Sequence, residues 1–92
     1  MYSVVLRRRA LRALQHELHP SVAAAVAEVL DGPLREAPSV VGKPLGHPFV
    51  GYRAIRRGEY RIIFAVDESD RRVDVVRIDH RRDIYHGSIN GT

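Results

Sequence analysis

The chain contains no cysteine. No disulfide can staple it, and no thiolate is available as a nucleophile or zinc ligand. That fits a reducing compartment. Tryptophan is absent as well, with only two phenylalanines and four tyrosines, so the core has to be built mainly from Val, Ile, Leu and Ala. No apolar run approaches the roughly 20 residues of a membrane span. The opening run, Tyr2 to Leu6, is too short for a signal-peptide core and is followed by Arg7, Arg8 and Arg9. The expectation is a cytoplasmic protein with no membrane partner. Lysine is nearly missing too: Lys43 is the only one, yet the net charge is +4. Arginine carries that charge. A basic balance favours polyanionic partners, while genomic base composition and solvated faces account for it equally well. Dinucleotide fingerprint, P-loop and zinc-protease motifs are all absent, as is the nucleophile elbow of a serine triad.

At 92 residues, 45% of them hydrophobic, one modest core is affordable. We expect one domain over residues 1–86 and a disordered tail at 87–92. Tyr2 to Leu6 reads as a short strand. Leu11, Leu14 and Leu18, with Ala10, then recur at helical spacing over about Arg7 to Glu17. Pro20 suits the first turn of a second helix, in which Val22, Ala23, Val26, Ala27 and Leu30 share a face. Asp31-Gly32-Pro33 interrupts it, and the pattern allows a further turn at Leu34 to Glu36. So short a connection predicts an antiparallel helical hairpin. Ala37 to Val50 holds Pro38, Gly42, Pro44, Gly46 and Pro48 and reads as loop. Three strands follow, at about Gly51 to Arg56, Glu59 to Val66 and Arg72 to Ile78, as an antiparallel meander. The fold class is α+β, with sequential strands antiparallel. The helices cover one sheet face and leave a basic face open. Period two sends Tyr60, Ile62 and Phe64 to the helices and Arg61 to the open face.

Two charged clusters bear on function. Tyr52 to Arg61 holds Arg53, Arg56, Arg57 and Arg61 on two adjacent strands. Guanidinium forks bind phosphate bidentately and stay charged at any pH; equally, arginines keep the exposed faces of a hairpin soluble. Arg77 to Tyr85 gathers Arg77, His80, Arg81 and Tyr85. An imidazole moves protons near neutrality, and a phenol needs cationic neighbours to act as a base. A strand end with Ile84 and Tyr85 on the core and charges outside is the plainer alternative. His16, His19, His47 and His86 have no metal-ligand spacing, so we expect no metal and no cofactor.

Three segments carry a family resemblance. Arg57-Gly-Glu-Tyr-Arg-Ile-Ile-Phe64 resembles the central strand of RelE/ParE toxins. Arg77-Ile-Asp-His-Arg-Arg-Asp-Ile-Tyr85 resembles their closing segment, and Val41-Gly-Lys-Pro-Leu45 the loop ahead of their sheet. Order and spacing agree over about Tyr2 to Tyr85, and mycobacterial RelE-type members are especially similar in these segments.

The resemblance to the RelE branch implies a toxin of a type II toxin–antitoxin system. It implies a metal-independent, ribosome-dependent endoribonuclease that cleaves mRNA in the A site by attack of the RNA's own 2′-hydroxyl. Arg61 and Arg81 match the phosphate-stabilising arginines. Tyr85 matches the stacking or proton-transferring tyrosine, and His80 falls on a position that is basic in several members, which makes it a candidate general acid or base. Arg53, Arg56, Arg57, Arg77 and Lys43 are the expected RNA contacts. The implied partners are a cognate antitoxin, the ribosome with mRNA, and operator DNA only through the antitoxin complex. One departure concerns two lysines of the best-known member. Arg53 and Ile55 stand there in an ungapped reading, or Arg56 with a gap. Arginine is a poor general base, which leaves proton abstraction to His80, Tyr85 or a ribosomal group. The alternative is a ParE-like gyrase inhibitor; such relatives generally lack the closing tyrosine and the full arginine set.

Overall fold

The computed structural model describes residues 1–80. Arg81, Tyr85, His86 and the expected tail lie outside them. The chain runs β1 (Ser3–Leu6), α1 (Arg8–Arg12) and a π-helical turn (Ala13–Glu17), then α2 (Pro20–Asp31), α3 (Pro33–Glu36) and α4 (Pro38–Val41). It continues with β2 (Lys43–Pro44), β3 (Arg53–Arg57), β4 (Tyr60–Asp67) and β5 (Arg72–His80). One sheet has the order β1-β5-β4-β3-β2. The β3-β4-β5 meander is antiparallel as expected. The first strand departs from that pattern: β1 lies parallel to β5, with Val4 beside Val73 and Leu6 beside Val75. A parallel neighbour needs a crossover, and the helices supply it.

Local chemistry explains the element ends. His19 caps α2, its Nδ1 accepting from the Ser21 amide at 3.2 Å, and Pro20 occupies the first helical position. Gly58, at φ +55, opens the two-residue turn between β3 and β4, where a left-handed residue matches the strand twist. The expected loop after Ala37 holds two short elements instead. Pro38 starts α4, and β2 pairs with β3 through Lys43–Ala54 and Pro44–Arg53. A proline is tolerated there because β2 is an edge strand.

The core sits between the helices and one sheet face. Ala10, Ala13, Val26, Val29, Leu30 and Leu34 pack on Ile55, Tyr60, Ile62, Phe64, Val73, Val75 and Ile78. Each fully buried Val, Leu, Ile or Phe stabilises by about 1.5–3 kcal/mol, so this layer outweighs any surface ion pair at about 0–1 kcal/mol. The buried stripe differs from the expected one in two places. Leu11 stays 38% exposed while the small Ala10 and Ala13 are buried, which lets α1 approach the sheet. Ala27 is exposed and Val29 is buried in α2. Gly42 is required by packing: a Cβ there would stand 2.3 Å from the Phe64 ring.

β5 carries one extra residue. Ile63 pairs with Arg77 and Phe64 with Val75, so Val76 is a bulge. Val73, Val75 and Ile78 therefore all reach the core. Among the described residues no helix is long and apolar enough to cross a membrane.

Candidate functional site

The sheet face away from the helices is built by alternate residues. Arg56 on β3 is opposite Arg61 on β4, and Arg61 is opposite Asp79 on β5. Asp79 is only 6% exposed. A buried carboxylate must be paired, and two guanidinia hold it: Arg61 Nη2 donates to Oδ2 at 3.2 Å and Arg77 Nε to Oδ1 at 3.2 Å. The result is an Arg–Asp–Arg bridge with its positive charge only half neutralised. Exposed Arg56 adjoins it. The buried Arg61 Nε has no hydrogen-bond partner among the described residues. Beside this row run Lys43, Ala54, Ile63 and Arg77, paired in succession.

A second bridge lies at the far end of the same face. Asp74 accepts from Arg7 and from Arg72 Nε. Arg72 also reaches Asp67 at 3.2 Å and Asp70 at 3.0 Å. Here three carboxylates meet two arginines, so the unbalanced positive charge lies near Arg56, Arg61 and Arg77. The Asp67 carboxyl is held below its ordinary value, first by the Asp70 amide and then by the Ser69 hydroxyl, with Arg72 adding to it.

Other expected site residues lie on the helix side. Arg53 pairs with Phe64, and its Nη1 donates to the carbonyls of Gly42 (2.8 Å) and Ser39 (3.2 Å). There it satisfies carbonyls at the end of α4. Arg57 and His80 both flank Tyr60. With His19, Ser21, Val22 and Ala25 they line a groove of about 630 Å³ beside α2. His80 Nε2 stands 3.3 Å from Glu59 Oε1. Burial raises the Tyr60 phenol above its usual pKa, opposed by the nearby Arg57 charge. The four arginines of the hairpin thus divide between two faces, and His80 does not meet Arg61. Arg81 and Tyr85 lie outside the described residues.

Sequence reasoning overlooked Asp79, though it stands inside the closing motif. Its signal was the adjacent pair Val75-Val76, which marks the bulge that turns Asp79 to the arginine face. It also missed an apolar notch of about 190 Å³ on this face, lined by Arg9, Phe49, Tyr52, Ile63, Val76 and Arg77. A sheet face turned away from the helices, with Arg61 and Arg77 held on Asp79 and Arg56 exposed beside them, can orient and neutralise phosphate.

Comparison with known proteins agrees with this architecture. Residues 4–85 match the family model of the ParE toxin of type II toxin–antitoxin systems, parDE. Toxin RelG of Mycobacterium tuberculosis is 42% identical over 84 residues, covering 91% of this chain and 95% of that protein. Toxin RelE of the same organism is 38% identical over 84 residues, covering 91% and 86%. The crystal structure of the toxin–antitoxin complex RelBE2 from M. tuberculosis includes a chain similar at TM-score 0.82 and 40% identity, with 87% of this chain and 98% of that one covered. The isolated Escherichia coli RelE toxin, at TM-score 0.73 and 21% identity over 99% and 98% of the two chains, shares the fold. The chain belongs to the RelE/ParE family of toxins of type II toxin–antitoxin systems.

Proposed function

We propose that this toxin is a metal-independent, ribosome-dependent endoribonuclease of cytoplasmic mRNA. The observation that carries the reading is the Arg61–Asp79–Arg77 bridge beside Arg56, a preset arrangement of guanidinia on the face away from the helices. In the reaction the RNA's 2′-hydroxyl oxygen attacks the adjacent phosphorus. The bond to the 5′-oxygen breaks, giving a 2′,3′-cyclic phosphate and a 5′-hydroxyl. Arg61 and Arg77 stabilise charge developing on the phosphate oxygens, with Arg81 joining them. Arg56 and Lys43 bind flanking phosphates. Such preorganised donors act where charge develops. His80 and Arg57 stand with Tyr60 on the other side of the sheet, which favours Tyr85 or a ribosomal group for proton transfer.

A set of charges on an open sheet does little to immobilise a flexible strand. The ribosome is therefore assigned the positioning of the message, and the free protein is expected to leave naked RNA intact. The solved relative occurs in a toxin–antitoxin complex, and a basic exposed face calls for the same cover here. A cognate antitoxin would place negative charge near Arg61, with operator DNA reached only through that complex. Residues 1–86 act as one toxin domain in this reading.

The family model that matches is described as a ParE toxin, which keeps gyrase inhibition as the second reading. The relatives at 38% and 42% identity are named RelE and RelG and favour the nuclease. Induction followed by mapping of mRNA 5′ ends separates the two. In-frame cuts within translated messages support the nuclease. Intact mRNA with double-strand DNA breaks overturns it in favour of gyrase poisoning.

A further inference from the structure

The notch beside the arginine bridge has a composition that the phosphate chemistry does not use. Its floor is Ile63, 1% exposed, with the bulged Val76 beside it. Phe49 and Tyr52 supply aromatic rings, and Arg9 and Arg77 supply charge. Among the described residues no carboxylate lines it. Phe49 remains 41% exposed, although its segment is tied down: Leu45 N–H donates to the Tyr52 carbonyl at 2.9 Å, Phe49 N–H to Gly46 at 2.8 Å and Tyr52 N–H to Phe49 at 3.0 Å. The rings thus stand on a built turn.

Size and charge narrow the occupant. At about 190 Å³ the notch lies below the roughly 300–1,000 Å³ of pockets for drug-sized ligands. One planar heterocycle suits it. Aromatic rings beside guanidinia are the means by which proteins hold unpaired bases without reading sequence. Ile63 lies two residues from Arg61 along β4, about 7 Å, and Arg77 belongs to both the notch and the bridge. A nucleotide with its phosphate at the bridge therefore has its base, or its neighbour's, within reach of the notch.

We propose that Phe49, Tyr52, Ile63 and Val76 form a subsite for one unpaired nucleobase of RNA bound at Arg61 and Arg77. This deepens the nuclease reading and rests on it for the identity of the polymer.

Methyl NMR of the full-length protein tests the subsite separately from cleavage. The probe is adenosine 5′-monophosphate, and ribose 5-phosphate is the baseless control. A base stacked in the notch shifts the Ile63 and Val76 methyls by ring current. The expected result is a shift with the nucleotide and none with the sugar phosphate. Phe49→Ala and Tyr52→Ala should each weaken nucleotide binding about 5- to 150-fold, the range implied by loss of one base–aromatic stack. Equal shifts with both probes would mean phosphate capture alone and overturn the subsite. A response to N-acetyl-leucinamide and not to the nucleotide would make the notch a socket for an apolar protein side chain, and overturns it equally. The probe comparison on the unaltered protein decides the matter even if a variant fails to fold. Cleavage on ribosomes without a nucleotide-induced shift removes the subsite and keeps the nuclease. The shift without cleavage keeps the subsite and removes the nuclease.

Discussion

Arg61 and Asp79 stand directly opposite each other on neighbouring strands, and their side chains meet at 3.2 Å on the face that the helices leave uncovered. The carboxylate side chain is 8% exposed and the guanidinium 23%. Arg77 holds the second oxygen. Arg61 is therefore both a positioned cation and part of a buried pair, so its removal is expected to cost stability as well as activity.

For Arg61→Ala we expect a stability loss of about 1–3 kcal/mol, because Asp79 keeps one partner and loses the other. Single-turnover cleavage on programmed ribosomes should fall about 10²–10³-fold, the usual cost of one transition-state donor. Arg61→Lys keeps the charge and loses the fork, so it should recover stability better than activity. Exposed Arg56→Ala should stay within about 0.5 kcal/mol of the parent. Urea midpoints and cleavage rates measured together check the set. Undiminished cleavage by Arg61→Ala would end its assignment to the phosphate.

His80→Gln addresses proton transfer. A general base is worth roughly 10²–10⁴ in rate. With the ring beside Glu59 and Tyr60, we expect no loss of that order and no change in the shape of the pH–rate profile. A collapse of the rate without unfolding would show that the imidazole reaches the RNA.

Gly42→Ala should destabilise by about 1–3 kcal/mol, because the added methyl overpacks a completed core. The contact is with the fully buried Phe64 ring, which has little room to retreat. A thermal melt coincident with that of the parent would show that the loop yields at no cost.

Much of this geometry is legible in the order of the residues. Strict alternation in Tyr60–Val66 assigns Arg61 to the uncovered face, and Pro20 locates the start of α2. Hairpin turns write their chemistry into adjacent residues, so β3, β4 and β5 follow. The partner of β1 lies some 70 residues away in sequence and leaves no local trace, hence nothing nearby signals its parallel pairing. Pro38 and Pro44 read as breakers, yet each is tolerated, one at a helix start and one on an edge strand. Arg53 is indistinguishable from its neighbours by type; only the carbonyls of Ser39 and Gly42 identify its task. Arg81 and Tyr85, drawn from the family resemblance, remain proposals.

Asp67 should sharpen the acid sensitivity of the fold. Its folded-state pKa is lowered from 3.8, chiefly by the Asp70 amide. The unfolded chain therefore binds the proton first as pH falls. The contribution is complete above pH 3.8 and is lost as pH falls through the lower folded value. Asp67→Asn should flatten that part of the stability–pH curve. The comparison is of denaturation midpoints for parent and variant from pH 5 downward, and parallel curves would count against the assignment.

The extra residue at Val76 turns strand length into chemical information. Counted forward from Val73 and Val75, plain alternation would send Arg77 and Asp79 inward; counted back from Ile78, it places them outside. Deletion of that one valine alters no charge and would return the strand to plain alternation, with Arg77 following Val75 on the outer face and Ile78 still inside. Arg77 and Asp79 thus owe their side of the sheet to the pairing of Ile63 with Arg77 and not to a count of residues from Val75. An alignment that slides one position here would assign Arg61 the wrong partner.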